Sequence, residues 1–197
     1  MSSETRATLL DPITPENAVL LIADQQEGWF SRIQEPEQTR RHLLGLACGA
    51  RLLRVPAVLT TNMAAGFNGP QVQALTDIFS EVEVLDRTVI NAWQDPRVHE
   101  AIRRTDRQKV IIAGTGFELC ATLPALSSVA EGYDTYGVFD ASGRITPLPV
   151  TAIARLSQAG VVLVNAGPLI LEMMADNTHP RAREIYAALQ SAGFITR

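Results

Sequence analysis

Cys120 occupies a position at which a thiol could act as a nucleophile. It follows the turn Gly114-Thr115-Gly116, which comes directly after an apolar run. This spacing predicts that Cys120 lies in the first turn of a helix, where unpaired amides and the helix dipole favour an anion. A thiol there can have a lowered pKa and supply thiolate at neutral pH, and the nearby amides could form an oxyanion hole. The alternative is core packing, because free cysteine is among the most buried residue types.

Asp24 is the second residue that could carry chemistry. It comes directly after another apolar run, at residues 18–23, and could act in catalysis or, with equal weight, cap the next turn. Asp86-Arg87-Thr88 follows a third run. Cys48 is assigned to the core, because it repeats with Leu44 and Leu52 on the apolar stripe of a predicted helix.

Motifs for the common cofactors are missing from the sequence. Leu119 stands where the dinucleotide fingerprint needs its third glycine, and no P-loop pattern occurs. His42, His99 and His179 are widely separated, and none is well placed to pair with Cys120. The sequence therefore predicts no metal site and no cofactor.

The composition limits the class of protein and of ligand. The chain has 197 residues, with 17 Lys and Arg against 21 Asp and Glu, a net charge of −4 and 2 cysteines. This length, with 46% hydrophobic and 19% charged residues, predicts one domain over residues 1–197 with an N-terminal extension at 1–15. An acidic chain with no basic run and no long apolar run is not typical of a nucleic-acid or membrane protein. We expect a small-molecule substrate and, with two cysteines and no visible export signal, a cytoplasmic location.

The order of predicted elements indicates the fold. Six short apolar runs are candidate strands buried on both faces, as in a parallel sheet; they lie at 18–23, 57–60, 82–85, 110–113, 136–139 and 161–164. The candidate helices lie at 39–52, 96–104 with Asp95 as N-cap, 119–131, 147–159, 168–175 and 180–191. This alternation predicts an α/β fold, a three-layer αβα arrangement with a six-stranded, mainly parallel sheet. Ligands of such folds bind outside the carboxyl ends of the strands.

Seven segments, in this order, carry a resemblance to a known family. They are Asp24-Gln25-Gln26, Thr60-Thr61-Asn62, Asn68-Gly69-Pro70, Ile90-Asn91-Ala92-Trp93, the stretch 111–120 that ends in Cys120, Asp140-Ala141-Ser142-Gly143 and Leu156-Ser157-Gln158-Ala159-Gly160. Together they resemble the isochorismatase-like cysteine hydrolases, and within them the YcaC-like branch. The resemblance runs from about residue 17 to about residue 176.

The resemblance implies a catalytic triad of Cys120, Asp24 and Arg87. Cys120 would be the nucleophile, Asp24 would accept its proton, and Arg87 would hold the Asp24 carboxylate ionised. The family also has a cis peptide bond at the position of Thr115-Gly116. The amides of Gly116 and Cys120 would then face the substrate oxyanion.

The resemblance also bears on substrate binding and assembly. Trp29, Phe30 and Phe117 are candidates for the substrate pocket, because they lie close in sequence to Asp24 or Cys120. Several members of the family are homo-oligomers, and we expect the same here. The apolar groups at Trp93, Val98 and the C-terminal segment could serve assembly or be buried within one chain.

Three departures from the family pattern narrow the function. Arg87 stands where many amidases of the family use lysine, so its role would be electrostatic only. The segment between Arg87 and Ile90 is a residue shorter than in the branch, and Phe117 stands where a small threonine is usual. Thr60-Thr61-Asn62 replaces the Asp-x-His metal motif of the nicotinamidases, which disfavours nicotinamidase activity.

The sequence thus favours a metal-independent cysteine hydrolase that cleaves a C–N bond of a small amide through a thioester. One alternative is a binding or scaffold protein that keeps the fold without the amidase reaction. The other is a hydrolase of a vinyl ether such as isochorismate, which forms no covalent intermediate.

Overall fold

A single parallel sheet organises the computed structural model, which describes residues 11–195. Its strands are β1 Ala18–Ala23, β2 Ala57–Asn62, β3 Val84–Arg87, β4 Lys109–Gly114, β5 Asp134–Val138 and β6 Val162–Val164. They lie in the order β3-β2-β1-β4-β5-β6, and every neighbouring pair is parallel. The predicted α/β fold class is confirmed, and all of the sheet, rather than most of it, is parallel.

Helices connect the strands and cover both faces of the sheet. They are α1 Glu27–Phe30, α2 Pro36–Leu52, α3 Gln73–Ile78, α4 Pro96–Arg103, α5 Thr122–Ala130, α6 Val150–Ala159, α7 Ala166–Met174 and α8 Ala182–Ser191. A 3₁₀ turn at Ala92–Gln94 and a π-helical turn at Phe117–Ala121 complete the set. The sequence pattern missed α1 and α3, because four and six residues are too few to show a helical period.

The central strand β1 supplies side chains to two apolar clusters. Leu20 and Ile22 belong to the cluster that includes residues of α2, α7 and α8, whereas Val19 and Leu21 belong to the one with residues of α4, α5 and α6. Alternate side chains of a strand point to opposite faces, so the two clusters lie on the two sides of the sheet. This is the predicted three-layer arrangement.

Helix ends agree with the predicted caps. The Asp95 side chain accepts a hydrogen bond from the Arg97 N–H at 2.9 Å, and Pro96 is the first residue of α4. Gly160 ends α6 with a φ of +94°, in the left-handed region that glycine adopts without steric cost.

The position of Cys48 in α2 differs from the prediction. The side chains of Leu44, Cys48 and Leu52 are half-buried rather than fully buried. The core face of α2 is turned by about one residue from the predicted stripe and carries Leu43, Leu46, Ala47 and Ala50. Cys48 therefore lies at the border of the core.

Candidate active site

Three side chains from different strands meet at the carboxyl edge of the sheet. Asp24 follows β1, Arg87 is the last residue of β3, and Cys120 lies in the π-helical turn after β4. Chain order reverses between β1 and β4, which makes their ends the topological switch point. Arg87 reaches the same point from β3, across β2.

Asp24 is held in a strained and buried position. Its φ is +57°, a left-handed conformation that few residues other than glycine adopt, and its N–H donates to the Thr60 carbonyl at 3.0 Å. Its carboxylate is 1% exposed and accepts hydrogen bonds from Nη2 of Arg87 at 2.6 and 2.7 Å. Backbone strain of this kind persists where the surroundings over-determine a site.

Arg87 has its charge directed entirely inward. Nη2 contacts both oxygens of Asp24, while Nη1 donates to the carbonyls of Val89 and Ile90. Nε is buried without a hydrogen-bond partner. The guanidinium therefore balances Asp24 and offers no contact to solvent.

Cys120 is the third member of this group. Its thiol hydrogen-bonds the Asp24 carboxylate and is buried. Burial, followed by the charge of Asp24, raises the pKa of Cys120 well above its usual value. The expected lowering of the thiol pKa is therefore wrong, since a buried site beside a carboxylate disfavours a second negative charge.

The pKa of the Asp24 carboxyl is shifted as well. Burial raises the pKa of the Asp24 carboxyl above its usual value, while the Arg87 guanidinium and hydrogen bonds from Cys120, Arg87 and Thr60 act to lower it. A carboxylate with a raised pKa is a stronger base, which suits the removal of a proton from a neutral thiol.

The backbone before Cys120 differs from the expectation drawn from the family. No peptide bond within residues 11–195 is cis, so the Thr115-Gly116 bond is trans. The Gly116 carbonyl accepts the N–H groups of Leu119 at 3.0 Å and Cys120 at 2.7 Å, which closes the turn. The Cys120 amide is thus already bonded within the turn in this conformation, and the oxyanion hole of Gly116 and Cys120 stays a prediction.

A glycine lets the turn lie against β4. A Cβ at Gly114 would lie 2.7 Å from the carbonyl carbon of Cys120, closer than a side chain permits. The end of β4 therefore needs glycine at this position for Cys120 to approach Asp24.

A small cavity opens onto these groups. Its volume is about 100 Å³, and it is lined by Asp24, Trp29, Asn62, Phe67, Asn68, Ile90, Leu119 and Cys120. A larger cavity of about 670 Å³ lies at the opposite edge of the sheet, around Val55 and Pro56. We place the candidate active site in the smaller cavity, because Cys120 and Asp24, the predicted nucleophile and its predicted proton acceptor, line it.

The three aromatic candidates for substrate binding are placed differently. Trp29 lines the cavity. Phe30 does not line the cavity. It is buried, and the guanidinium of Arg40 lies 4.1 Å from the centre of the Phe30 ring. Phe117 is fully buried and packs edge-on against Phe139, so it fills the core behind the turn instead of the pocket.

Sequence reasoning did not select five of the residues that line the cavity. They are Asn62, Phe67, Asn68, Ile90 and Leu119. Four of them were near a signal, since Asn62, Asn68, Ile90 and Leu119 belong to segments that carry the family resemblance. Phe67 lies outside every motif, and only the path of the chain after β2 brings it to the cavity.

Gln25 and Gln26 hold the neighbouring loops in place. Nε2 of Gln25 donates to the Ala141 carbonyl at 3.1 Å, and its Oε1 accepts the Thr115 hydroxyl. Oε1 of Gln26 accepts the N–H of Asn62 at 2.8 Å. These buried amides connect the segment after β1 to the loops after β2, β4 and β5.

The residues considered for metal binding or assembly lie outside this site. Within residues 11–195 no group of three or more His, Cys, Asp or Glu side chains could hold a metal ion. Trp93 and Val98, considered for assembly, are buried in the chain itself, with Nε1 of Trp93 donating to Glu131 at 2.8 Å. No helix in the part of the chain that the structure describes is long and apolar enough to cross a membrane.

Comparison with known proteins gives the family. The model of the isochorismatase domain matches residues 18–167, which include all three of Asp24, Arg87 and Cys120. The chain belongs to the isochorismatase family. The sequence is 35% identical to the probable hydrolase YcaC of Escherichia coli over 164 residues, 81% of this chain and 79% of that protein.

Two solved YcaC structures resemble the whole fold. YcaC from Pseudomonas aeruginosa, solved with hexane-2,5-diol and covalent acrylamide, has a TM-score of 0.89 and 31% identity over 93% of this chain and 92% of that one. The Escherichia coli protein, described as an octameric hydrolase of unknown specificity, has a TM-score of 0.84 and 32% identity over 92% and 89%. The chain is therefore an isochorismatase-family hydrolase similar to YcaC.

Proposed function

We propose that this protein is a cysteine hydrolase that cleaves the C–N bond of a small amide without a metal ion. The observation that carries the proposal is the buried contact chain from Cys120 through Asp24 to Arg87 at the wall of a cavity. A nucleophile bonded to a base, with the base oriented by a third group, is the usual arrangement for covalent hydrolysis.

The reaction begins from a neutral thiol. As the Cys120 sulfur attacks the carbonyl carbon, its proton passes to the Asp24 carboxylate, and the C–N bond then breaks as Asp24 gives that proton to the leaving nitrogen. Water, deprotonated by Asp24, attacks the thioester and releases the acid and the thiol. Arg87 keeps Asp24 ionised between these transfers, because its Nη2 lies within hydrogen-bonding distance of both carboxylate oxygens.

A similar protein supports a reactive group in this fold. The Pseudomonas aeruginosa YcaC structure holds covalent acrylamide, a small neutral amide that alkylates thiols through its alkene and keeps its C–N bond. We propose that Cys120 is the corresponding reactive group here, because it is the thiol at the cavity, whereas Cys48 lies in α2.

The test is hydrolysis of a panel of small amides by the wild type and by Cys120→Ala. We expect the variant to lose on the order of 10³-fold or more in turnover while it keeps the thermal midpoint of the wild type within a few degrees. Cys48→Ala is the matched control and should keep full activity. Normal turnover by Cys120→Ala would exclude the thioester, and loss in Asp24→Asn alone would favour the vinyl ether reaction instead.

We also propose that the protein forms a homo-oligomer. The similar Escherichia coli YcaC is described as octameric, and this chain exposes the large apolar side chains of Phe67, Ile90, Leu148 and Val150. Exposed apolar groups of this kind are typical of contact surfaces. Light scattering of the purified protein should give a mass several times that of one chain, and a monomer would contradict the proposal.

A further inference from the structure

One polar group at the cavity has no partner. The indole N–H of Trp29 is shielded from solvent and makes no hydrogen bond, although Trp29 lines the cavity with Cys120 and Asp24. Buried N–H groups are nearly always bonded, because loss of hydration is costly without a replacement. An orphan donor at the wall of a cavity indicates an acceptor on the ligand.

The other tryptophan shows the ordinary situation. Nε1 of Trp93 donates to Oε1 of Glu131 at 2.8 Å, and Trp93 lies away from the cavity. The two indoles of the chain therefore differ in this respect. The Trp93 indole is hydrogen-bonded within the fold, whereas the Trp29 indole has no hydrogen-bond acceptor within the fold.

The surroundings hold the Trp29 ring in place. The N–H of Gly28 donates to the Asn68 carbonyl at 2.9 Å, and a Cβ at Gly28 would lie 2.5 Å from the Phe67 carbonyl oxygen. The Arg32 guanidinium lies 5.7 Å from the Trp29 ring centre and 5.1 Å from that of Phe67. Helix α1, which carries Trp29, thus lies against the loop after β2, and Arg32 lies over the rings of both Trp29 and Phe67.

The amide side chains of the cavity wall each donate a hydrogen bond within the fold. Nδ2 of Asn62 donates to the Val89 carbonyl at 3.2 Å, and Nδ2 of Asn68 donates to the Asn62 carbonyl at 2.9 Å. The Cys120 amide is bonded to Gly116, as described above. Among the described residues that line the cavity, Trp29 is the one whose buried side-chain polar atom has no partner at all.

The charges and size of the cavity define what can accept this hydrogen bond. The guanidinium of Arg87 is fully shielded and balances Asp24, whereas Arg32 lies over the rings of Trp29 and Phe67 and does not line the cavity. A ligand carboxylate beside the thiol would therefore lie next to the Asp24 carboxylate without a cation of its own. The cavity is small, about 100 Å³, and its apolar wall includes Ile90 and Leu119.

We propose that the Trp29 indole N–H binds the carbonyl oxygen of a small, neutral carboxamide with a short apolar acyl group, and that it thereby selects amides over carboxylates. This inference rests on the proposed function. The same oxygen becomes the oxyanion when sulfur attacks, so the hydrogen bond strengthens as the charge develops. Trp29 is then a substrate-binding residue that determines specificity.

The probe is acrylamide, a neutral amide that alkylates thiols. The sulfur of Cys120 forms a bond to the terminal alkene carbon, the π electrons move towards the carbonyl, and the adjacent carbon takes up the proton. Iodomethane serves as the reference reagent, because it has no carbonyl and reports only the reactivity of the thiol. Peptide mass spectrometry gives the rate at Cys120 for both reagents.

The variants separate the hydrogen bond from packing. Trp29→Phe should slow acrylamide labelling at least about 10-fold, the order expected for a lost donor to developing charge, and change iodomethane labelling less than about 2-fold. Trp93→Phe is the matched control and should change neither rate. Benzothienylalanine at position 29 keeps the ring shape, replaces the N–H by sulfur and should reproduce the Trp29→Phe result.

Each result has a distinct meaning. Equal acrylamide labelling of wild type and both Trp29 variants would overturn the role of the indole. Acrylate that labels Cys120 as fast as acrylamide, relative to their rates with glutathione, would overturn the neutral substrate class and point to Arg32, beside Trp29 and Phe67, as a partner for the carboxylate. Failure of both reagents to label Cys120 of the wild type would instead contradict the proposed function.

Discussion

At the amino end of the sheet, Lys109 and Asp134 lie opposite each other on neighbouring strands, with Nζ 3.1 Å from Oδ2. At the carboxyl end, Arg87 reaches Asp24 from two strands away, across β2, with a contact of 2.6 Å. Both are ion pairs at the ends of the same parallel sheet, and the pair at the carboxyl end is fully buried whereas Asp134 is half-buried.

The two pairs differ in what surrounds them. Asp24 has a φ of +57°, shares its carboxylate with the Cys120 thiol and opens onto a cavity. Lys109 and Asp134 lie within regular strands, in register with each other. A paired charge alone is thus a poor sign of function, whereas a paired charge with backbone strain, a thiol and an unpaired buried donor at the same cavity indicates a candidate functional site.

The largest expected effect on turnover comes from removing the charge of Asp24, and the same change at Asp134 is the comparison. Asp24→Asn should reduce amide turnover on the order of 10³-fold, because the thiol loses its proton acceptor, and asparagine tolerates the left-handed backbone. Asp134→Asn should leave turnover within about 2-fold, since it lies at the other end of the sheet. Steady-state kinetics with circular dichroism on both variants would show whether the comparison fails.

Removal of the amino-end cation should affect stability rather than activity. Lys109→Met removes the ammonium group that lies 3.1 Å from the Asp134 carboxylate, and we expect a loss of up to about 3 kcal/mol in the free energy of unfolding. Urea denaturation measures this. Turnover per folded molecule should not change, and a specific loss of turnover would mean that the two ends of the sheet are coupled.

Arg87→Lys should have an intermediate effect on activity. Lysine keeps the charge beside Asp24 but cannot also bond the carbonyls of Val89 and Ile90. We expect turnover to fall about 10- to 100-fold. As the pH is lowered, the variant should lose its remaining turnover at a higher pH than the wild type does, because weaker pairing raises the pKa of Asp24 further. A pH–rate profile identical to that of the wild type would show that Arg87 does not control Asp24.

The smallest expected effect is the flat centre of the pH profile for iodomethane labelling of Cys120. The rate should rise as Asp24 ionises, at a pH above the usual range of an aspartate, change less than about 2-fold across a plateau, and rise again well above pH 9 as thiolate forms. Asp24→Asn should lose the plateau and keep only the alkaline rise. A rate of Asp24→Asn that reaches its maximum below pH 9 would indicate a thiolate with a lowered pKa.

Local sequence patterns located the first strand more accurately than the turn that carries Cys120. The run 18–23 matches β1 residue for residue, since a strand buried on both faces must be apolar throughout. The helix predicted to begin at Leu119 starts regularly only at Thr122, after a π-helical turn. Its hydrogen bonds depend on the position of the Gly116 carbonyl, which no periodicity encodes.

The pKa of Cys120 is another property that the local sequence did not predict correctly. Position near a helix start suggested a lowered value, but the shift depends on depth of burial and on the distance to Asp24. Likewise, Phe30 and Phe117 are as close in sequence to the site as Trp29, yet they pack away from the cavity.

The amino-acid sequence by itself determined the α/β class and the order of strands and helices along the chain, and it singled out Asp24, Arg87 and Cys120 as candidate site residues, because apolar runs, caps and family motifs are local properties. Only the tertiary structure decided that Arg87 reaches Asp24, that burial raises the pKa of the Cys120 thiol, and that the Trp29 indole is left without a partner at the cavity. Those properties arise from the distances between residues far apart in the chain, which burial and the packing of the strand-end loops set.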